Sequence, residues 1–310
     1  MGTRSTSPST VEAETPGGGA AAAVGAFVLF WPAILLPVLR IEQRNEAAAA
    51  SLGPPPEKSL LVYVYLLEEM ERRGLDLPLL APAYAHGIWT DVDLMMTMRL
   101  APEVAHSHFR LATQRTLARI EQYLALEIDM IGVGGDFAGN KLLISPADYR
   151  TFIVPEVRIC SQRIHDAGRW AVNATDGNIW PVLDDFLLGC EVDAYLEIDY
   201  HAGMDLRRLK AQYGGQVTLL GNLDCGNVLS LGSPQEVRQH VLDCLEAGRG
   251  NGGDDGGPGA QLRKLLGKVQ GRSFGARTRG SSVRRRRRSR WREGGGGWDR
   301  QGTVSLPGAR

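Results

Sequence analysis

Short apolar runs alternate with helix-like segments through the centre of this 310-residue chain. Four runs read DMIGVGGDFAGN (129–140), RWAVNATDGN (169–178), VDAYLEID (192–199) and VTLLGNLDC (217–225), and LPLLAPAYAHG (77–87) fits the same pattern upstream. One helix-like segment lies between consecutive runs of the four, which is the signature of β–α repetition and a parallel sheet. The intervening helices carry their own punctuation. SLLVYVYLLEEMERRG (59–74) reads as an amphipathic helix stopped by Gly74. Pro102 opens a long helix with Leu117, Ile120 and Leu124 on one face. Ser145-Pro146 caps the next, which Gly168 closes and Pro155 should kink. IWPVLDDFLLG and MDLRRLKAQYG end at Gly189 and Gly214. Ser233-Pro234 with Glu236 forms a capping box for the last helix, whose stripe Val237, Val241, Leu245 should be buried.

The flanks read differently. Residues 1–19 are Ser/Thr/Pro/Gly-rich and aperiodic, the composition of a disordered segment. Residues 20–39 are uncharged for about the length of a membrane span. Pro32 and Pro37 argue against a continuous helix there, so a buried apolar segment is preferred to a membrane anchor. Residues 45–58 read as a linker with a proline stop. Beyond Gly253 the hydrophobic period vanishes into Gly/Arg-rich sequence containing five consecutive arginines, Arg284–Arg288. The division is therefore 1–58, a low-complexity and apolar N-terminal segment; 59–253, the βα unit; and 254–310, a basic tail expected to be disordered.

Charge sharpens that division. The chain is neutral overall, but from Arg249 onward 16 basic residues face 4 acidic ones, and the remainder holds 19 basic against 31 acidic. A bare basic run attracts nucleic acid without specificity, and no binding module accompanies it, so no specific nucleic-acid partner is expected. The four cysteines form no C-x-x-C pair and suit free thiols in a reducing, cytoplasmic setting.

In parallel α/β folds ligands bind where the strands end, because the βα loops converge there. Every run delivers polar groups to that edge: His86; Asp136; Thr175, Asp176 and Asn178; Glu197, Asp199 and His201; Asn222, Asp224 and Cys225. A single acid after a strand is usually a cap or turn residue; five strands ending alike point to a site. Several carboxylates at one mouth should raise at least one pKa, which suits proton transfer. Asp136, Asp176, Glu197 and Asp199 could hold a hard cation, and His86, His201 and Cys225 could hold zinc, but neither set has the local spacing of a metal motif.

In order, GVGGDFAGN, ISPADYRTFIVPEV, NATDGNIWPVLDDFL, VDAYLEIDYHAGMDLRRLK and VTLLGNLDCGNVLSLGSPQEV resemble the uroporphyrinogen decarboxylase superfamily over roughly residues 75–253. The resemblance implies a (β/α)8 TIM barrel, incomplete at its C-terminus and altered at its N-terminus in this chain. The expected cause is a reading-frame change near residue 253. Asp136, in GGDFAG, and Asp176, in TDGN, match acidic positions of the family patterns and are the implied catalytic residues. His86, Asn178, Glu197, Asp199, His201, Asn222 and Asp224, which the strand ends deliver to the same edge, are the expected substrate-binding residues. The arginine-rich segment that precedes the catalytic Asp of the decarboxylase has no counterpart in residues 1–74. The His-x-Cys of the zinc-dependent methyltransferases is replaced by Val-Asn-Ala-Thr-Asp-Gly-Asn (172–178). The expected reaction is decarboxylation of a carboxylated tetrapyrrole without a cofactor or metal, with a homodimer as the candidate assembly. The alternatives are methyl transfer from a methyl donor with a corrinoid or zinc, and an inactive truncated barrel.

Overall fold

The computed structural model describes residues 35–53, 55–249, 297–298 and 304–305. The expectations for residues 1–34 and for most of the basic tail lie outside them. A helix over 35–50 (α1) comes first, followed by a 3-10 turn Glu57–Leu60 and α2 (Leu61–Arg72). Five strands follow: β1 (Leu80–Pro82), β2 (Met130–Gly134), β3 (Trp170–Ala174), β4 (Ala194–Ile198) and β5 (Thr218–Gly221). They form one parallel sheet in the order β1-β2-β3-β4-β5, so each strand pairs with its neighbours in sequence. α3 (Val92–Leu100) and α4 (Pro102–Ala125) link β1 to β2, and α5 (Val154–Asp166) links β2 to β3. α6 (Leu206–Tyr213) links β4 to β5, and α7 (Val228–Leu231) and α8 (Pro234–Gly248) follow β5. The two-residue pairs Gly297–Trp298 and Val304–Ser305 make a separate antiparallel ladder.

Two elements depart from the sequence reading for identifiable reasons. The segment read as a linker from residue 45 is helical to residue 50, because Ala47–Ala50 are the best helix formers. Pro155 does not simply kink its helix. A π-helical turn, Tyr149–Ile153, precedes it and absorbs the lost hydrogen bond before α5 resumes. The capping residues behave as read: Ser145 accepts from Asp148 N, and Ser233 and Glu236 form a complete capping box; Asp205, not singled out in the sequence, caps α6 by accepting from Arg208 N.

The sheet has two unlike faces. Its outer face packs under α4 and α5 in a large core whose centre is an aromatic ladder. Phe137 lies 4.4 Å from Tyr149 and 6.2 Å from Phe186, and Phe186 meets Tyr195 edge-on at 5.0 Å. Each fully buried ring contributes about 2–3 kcal/mol of apolar transfer. The inner face carries a small cluster, Met130, Val172 and Ala194, bordered by half-buried Leu80, Trp170, Leu196 and Leu220. Every β2 residue is buried, whereas β5 is buried only at Thr218. The stripe expected on α8 is not buried either: Val237 and Val241 are half-covered and Leu245 is exposed, since α8 rests on α6 and the short α7.

Asp193 fastens the strand starts. Its buried carboxylate accepts from Ala171 N at 2.7 Å and lies 2.8 Å from His165 Nε2, while its carbonyl accepts from Thr218 N. Replacing Asp193 with Ala orphans the buried Ala171 amide and should cost about 2–3 kcal/mol in denaturant unfolding. The Asp193 carboxylate raises the His165 pKa. That contribution is present below the unfolded-state value of about 6.5 and is lost as pH rises through the raised folded value. His165→Gln should therefore destabilise more at about pH 5.5 than at about pH 9, where the curves of variant and native chain should converge.

Candidate active site

The C-terminal ends of the strands are stitched together by carboxylates that accept backbone amides of neighbouring loops. Gly134 and Gly135 turn the chain out of β2 with φ of +90° and +141°, and a Cβ on Gly135 would lie 2.7 Å from Gly87 N. This approach seats Asp136 beside the loop after β1, where its carbonyl accepts from Ile88 N at 2.9 Å and Trp89 N at 3.1 Å. Its Oδ1 reaches the loop after β3 and accepts from Asp176 N at 3.2 Å. Gly177, at φ +92°, has room only for hydrogen, because a Cβ would sit 2.6 Å from Gly139 O. Its amide donates to Asp199 Oδ2 at 3.1 Å, while Asp199 Oδ1 accepts from His201 N at 2.8 Å and Ala202 N at 3.0 Å.

Four carboxylates share this edge. Partial burial, then the charges of Asp136 and Asp199, raise the Asp176 pKa. Burial, then Asp176 and Asp136, raise that of Glu197. Glu197 stands at a bulge in β4, where pairing with β5 jumps from Leu196–Leu220 to Ile198–Gly221. Its φ of +68° is strained for a residue with a side chain, at a cost of about 1–3 kcal/mol. The bulge holds Glu197 within the field of Asp136 and Asp176. Tyr84 belongs to the same group. Its ring lies against Gly132, so that a Cβ there would be 2.3 Å from Cε1. Burial, Glu197 and Asp136 push its phenol up to about 12.

The remaining predicted residues take different places. His86 is buried and turned away from the acids toward α4, with Nε2 3.3 Å from Thr113 Oγ1. The amides of Ala85 and His86 both donate to Gly134 O, which breaks the strand alternation and sends His86 to the outer face. Burial and the His108 charge lower its pKa to about 4, so the ring is neutral. Asn178 and Asn222 tie loops together: Asn178 Nδ2 donates to Ala202 O at 3.0 Å, and the buried Asn222 Nδ2 to Ile198 O at 3.3 Å and Met204 O at 3.1 Å. Thr175 is buried and donates to Asp176 O at 3.0 Å, and Cys225 is exposed. His201 Nε2 lies 2.8 Å from the buried Asp224 Oδ1. Trp180 is half-buried; it donates to Gly203 O at 3.0 Å and carries the Arg208 guanidinium 3.8 Å above its ring. Among the described residues no group of three His, Cys, Asp or Glu side chains is placed to hold a metal ion. The displacement of His86 separates the donors considered for zinc. No helix of the described residues is long and apolar enough to cross a membrane.

The site thus offers a half-buried acidic cluster, two of whose members have raised pKa values, at the loop edge of a parallel sheet. No curated protein matches the chain. The family model for uroporphyrinogen decarboxylase (URO-D) matches residues 83–256, which takes in β2 to β5 and all four carboxylates. The chain belongs to the uroporphyrinogen decarboxylase (URO-D) family.

Proposed function

We propose that this chain is a carboxy-lyase acting on a carboxylated tetrapyrrole, and that its sheet is an arc of a (β/α)8 barrel with the site at the C-terminal mouth. The strictly sequential parallel order and the apolar inner face support the barrel reading. One observation carries the reaction: Asp136, Asp176, Glu197 and Asp199 meet at one strand edge, with Asp176 and Glu197 shifted toward their protonated forms. A pyrrole ring protonated on carbon is a cation, and a carboxylate such as Asp136 stabilises it. The cationic ring accepts the electron pair of the breaking C–C bond as carbon dioxide leaves the side chain. A proton then adds to the side-chain carbon, and the ring loses the proton it gained. The net change consumes one proton per carboxylate lost and needs no redox partner. Glu197 and Asp176 are placed to hold the protons exchanged, since a raised carboxyl pKa keeps an acid available nearer neutrality.

Incubation with uroporphyrinogen should release carboxylates stepwise, as followed by mass spectrometry of the oxidised porphyrins. Methyl transfer from a methylated corrinoid with no such loss would replace this reading. Asp136→Asn should lower kcat by about 100-fold or more while leaving the fold in place. The acids also carry a stability signature. Because Asp176 and Glu197 have raised folded pKa values, their favourable contribution is present below the unfolded carboxyl range and is lost as pH rises through the folded values. Asp176→Asn and Glu197→Gln should each stabilise the chain at neutral pH by a few tenths of a kcal/mol, given their exposure, and the gain should vanish in acid. Denaturant unfolding at the two pH values reads this directly.

A further inference from the structure

The loop after β4 and the loop after β5 meet through one pair. His201 Nε2 is 2.8 Å from Asp224 Oδ1. The carboxylate side chain is only 3% exposed and the imidazole 53% exposed. Asp224 is itself fixed: Oδ1 accepts from Asn227 N at 2.9 Å, and its own amide donates to His240 Nε2 at 2.9 Å. The first of these contacts leads the causes that lower its pKa, so it is a carboxylate at neutral pH. The Asn227 carboxamide lies 3.2 Å from His201 Nε2, and the Tyr200 ring meets the imidazole edge-on at 5.5 Å. Asp199 holds the His201 backbone amide and so joins this pair to the acidic cluster. A buried carboxylate that accepts from Nε2–H selects one tautomer and leaves Nδ1 as the free, basic nitrogen. Nothing in a purely structural tie requires the histidine ring to stand half in solvent.

We propose that His201 and Asp224 form a proton-transferring dyad of the active site: Asp224 orients the ring through Nε2, and Nδ1 delivers a solvent-derived proton to the substrate carbon that has lost carbon dioxide. The imidazolium gives up its Nδ1 proton, the carbon gains it, and the neutral ring is recharged by water. This role rests on the carboxy-lyase reading above. His201 is then a catalytic residue and Asp224 a positioning residue.

The test is turnover of uroporphyrinogen by the full chain and two variants. His201→Ala should lower kcat by about 100-fold with KM changed less than about twofold, and millimolar imidazole should restore a substantial part. Asp224→Asn should lower kcat by about tenfold, again with little change in KM. Unchanged kcat in His201→Ala, or a loss that imidazole does not rescue, overturns the dyad and leaves the carboxy-lyase reading standing. If the native chain does not decarboxylate the substrate, that reading falls, and the dyad is judged by acylation with diethyl pyrocarbonate mapped by mass spectrometry. His201 should then react at least about tenfold faster in the native chain than in Asp224→Asn, as expected of a carboxylate-activated imidazole, and equal rates overturn the proposal.

Discussion

The hydrogen bond from one loop's backbone amide to the preceding or following strand's carboxylate is the interaction on which this molecule's functional edge depends. Asp136 accepts from Asp176 N, and Asp199 from Gly177 N, His201 N and Ala202 N. Loops that end parallel strands have no ladder to fix them, and each amide they leave unpaired near the core would cost about 1–3 kcal/mol. A carboxylate is the strongest acceptor available for such amides. Using it here places negative charge where the loops converge. In the proposed reaction the acids that order the site are also the acids that do its chemistry.

That double use sets a conflict which the structure resolves by distribution. Four carboxylates at one edge repel, and the repulsion falls unevenly. Asp136 and Asp199 hold amides with their oxygens, while Asp176 and Glu197 have no such donor among the described residues and take the upward pKa shift. Glu197 bears an additional cost in its left-handed backbone at the β4 bulge. Charge repulsion and backbone strain fall on the same residue, which is a common arrangement at sites kept for function. Tyr84 closes the group from β1 with a phenol that stays protonated throughout the neutral range.

Much of this was legible in the sequence because it is written in local chemistry. Strand ends carrying acids, Ser145 and Ser233 as caps, and Gly74 and Gly168 as stops all act within a few residues of themselves. What was not legible depends on contacts across the fold. His86 was expected at the mouth, but two amides sharing the Gly134 carbonyl reverse its face, and Tyr84 takes the place instead. Strict alternation from Pro82 could have suggested Tyr84; the break after it could not be read. The stripe on α8 was sound as periodicity, but burial needs a partner surface, and α6 and α7 cover only part of it. Asn178 and Asn222 looked like ligands because polar residues at strand ends do. Their amides are consumed by carbonyls of other loops.

The rigidity of the edge is graded, and the gradient has a direction. β2 is buried at every residue and lies between two neighbours, whereas β5 pairs with β4 alone among the described residues and is mostly half-covered. Asp136 therefore follows the best-supported strand and Asp224 the least supported. The contacts of Asp224 with Asn227, His201 and His240 tie the end of β5 to α8 and to the loop after β4. Local opening begins where the fewest buried contacts must be broken, so β5 and α8 form the first unit to loosen. Under that opening Asp136 and Asp176 would keep their geometry, while the His201–Asp224 pair and the β4 bulge that carries Glu197 would lose a partner strand. In the proposed reaction Asp136 then follows the better supported strand, and the His201–Asp224 pair, which exchanges protons with solvent, bridges to the less supported one.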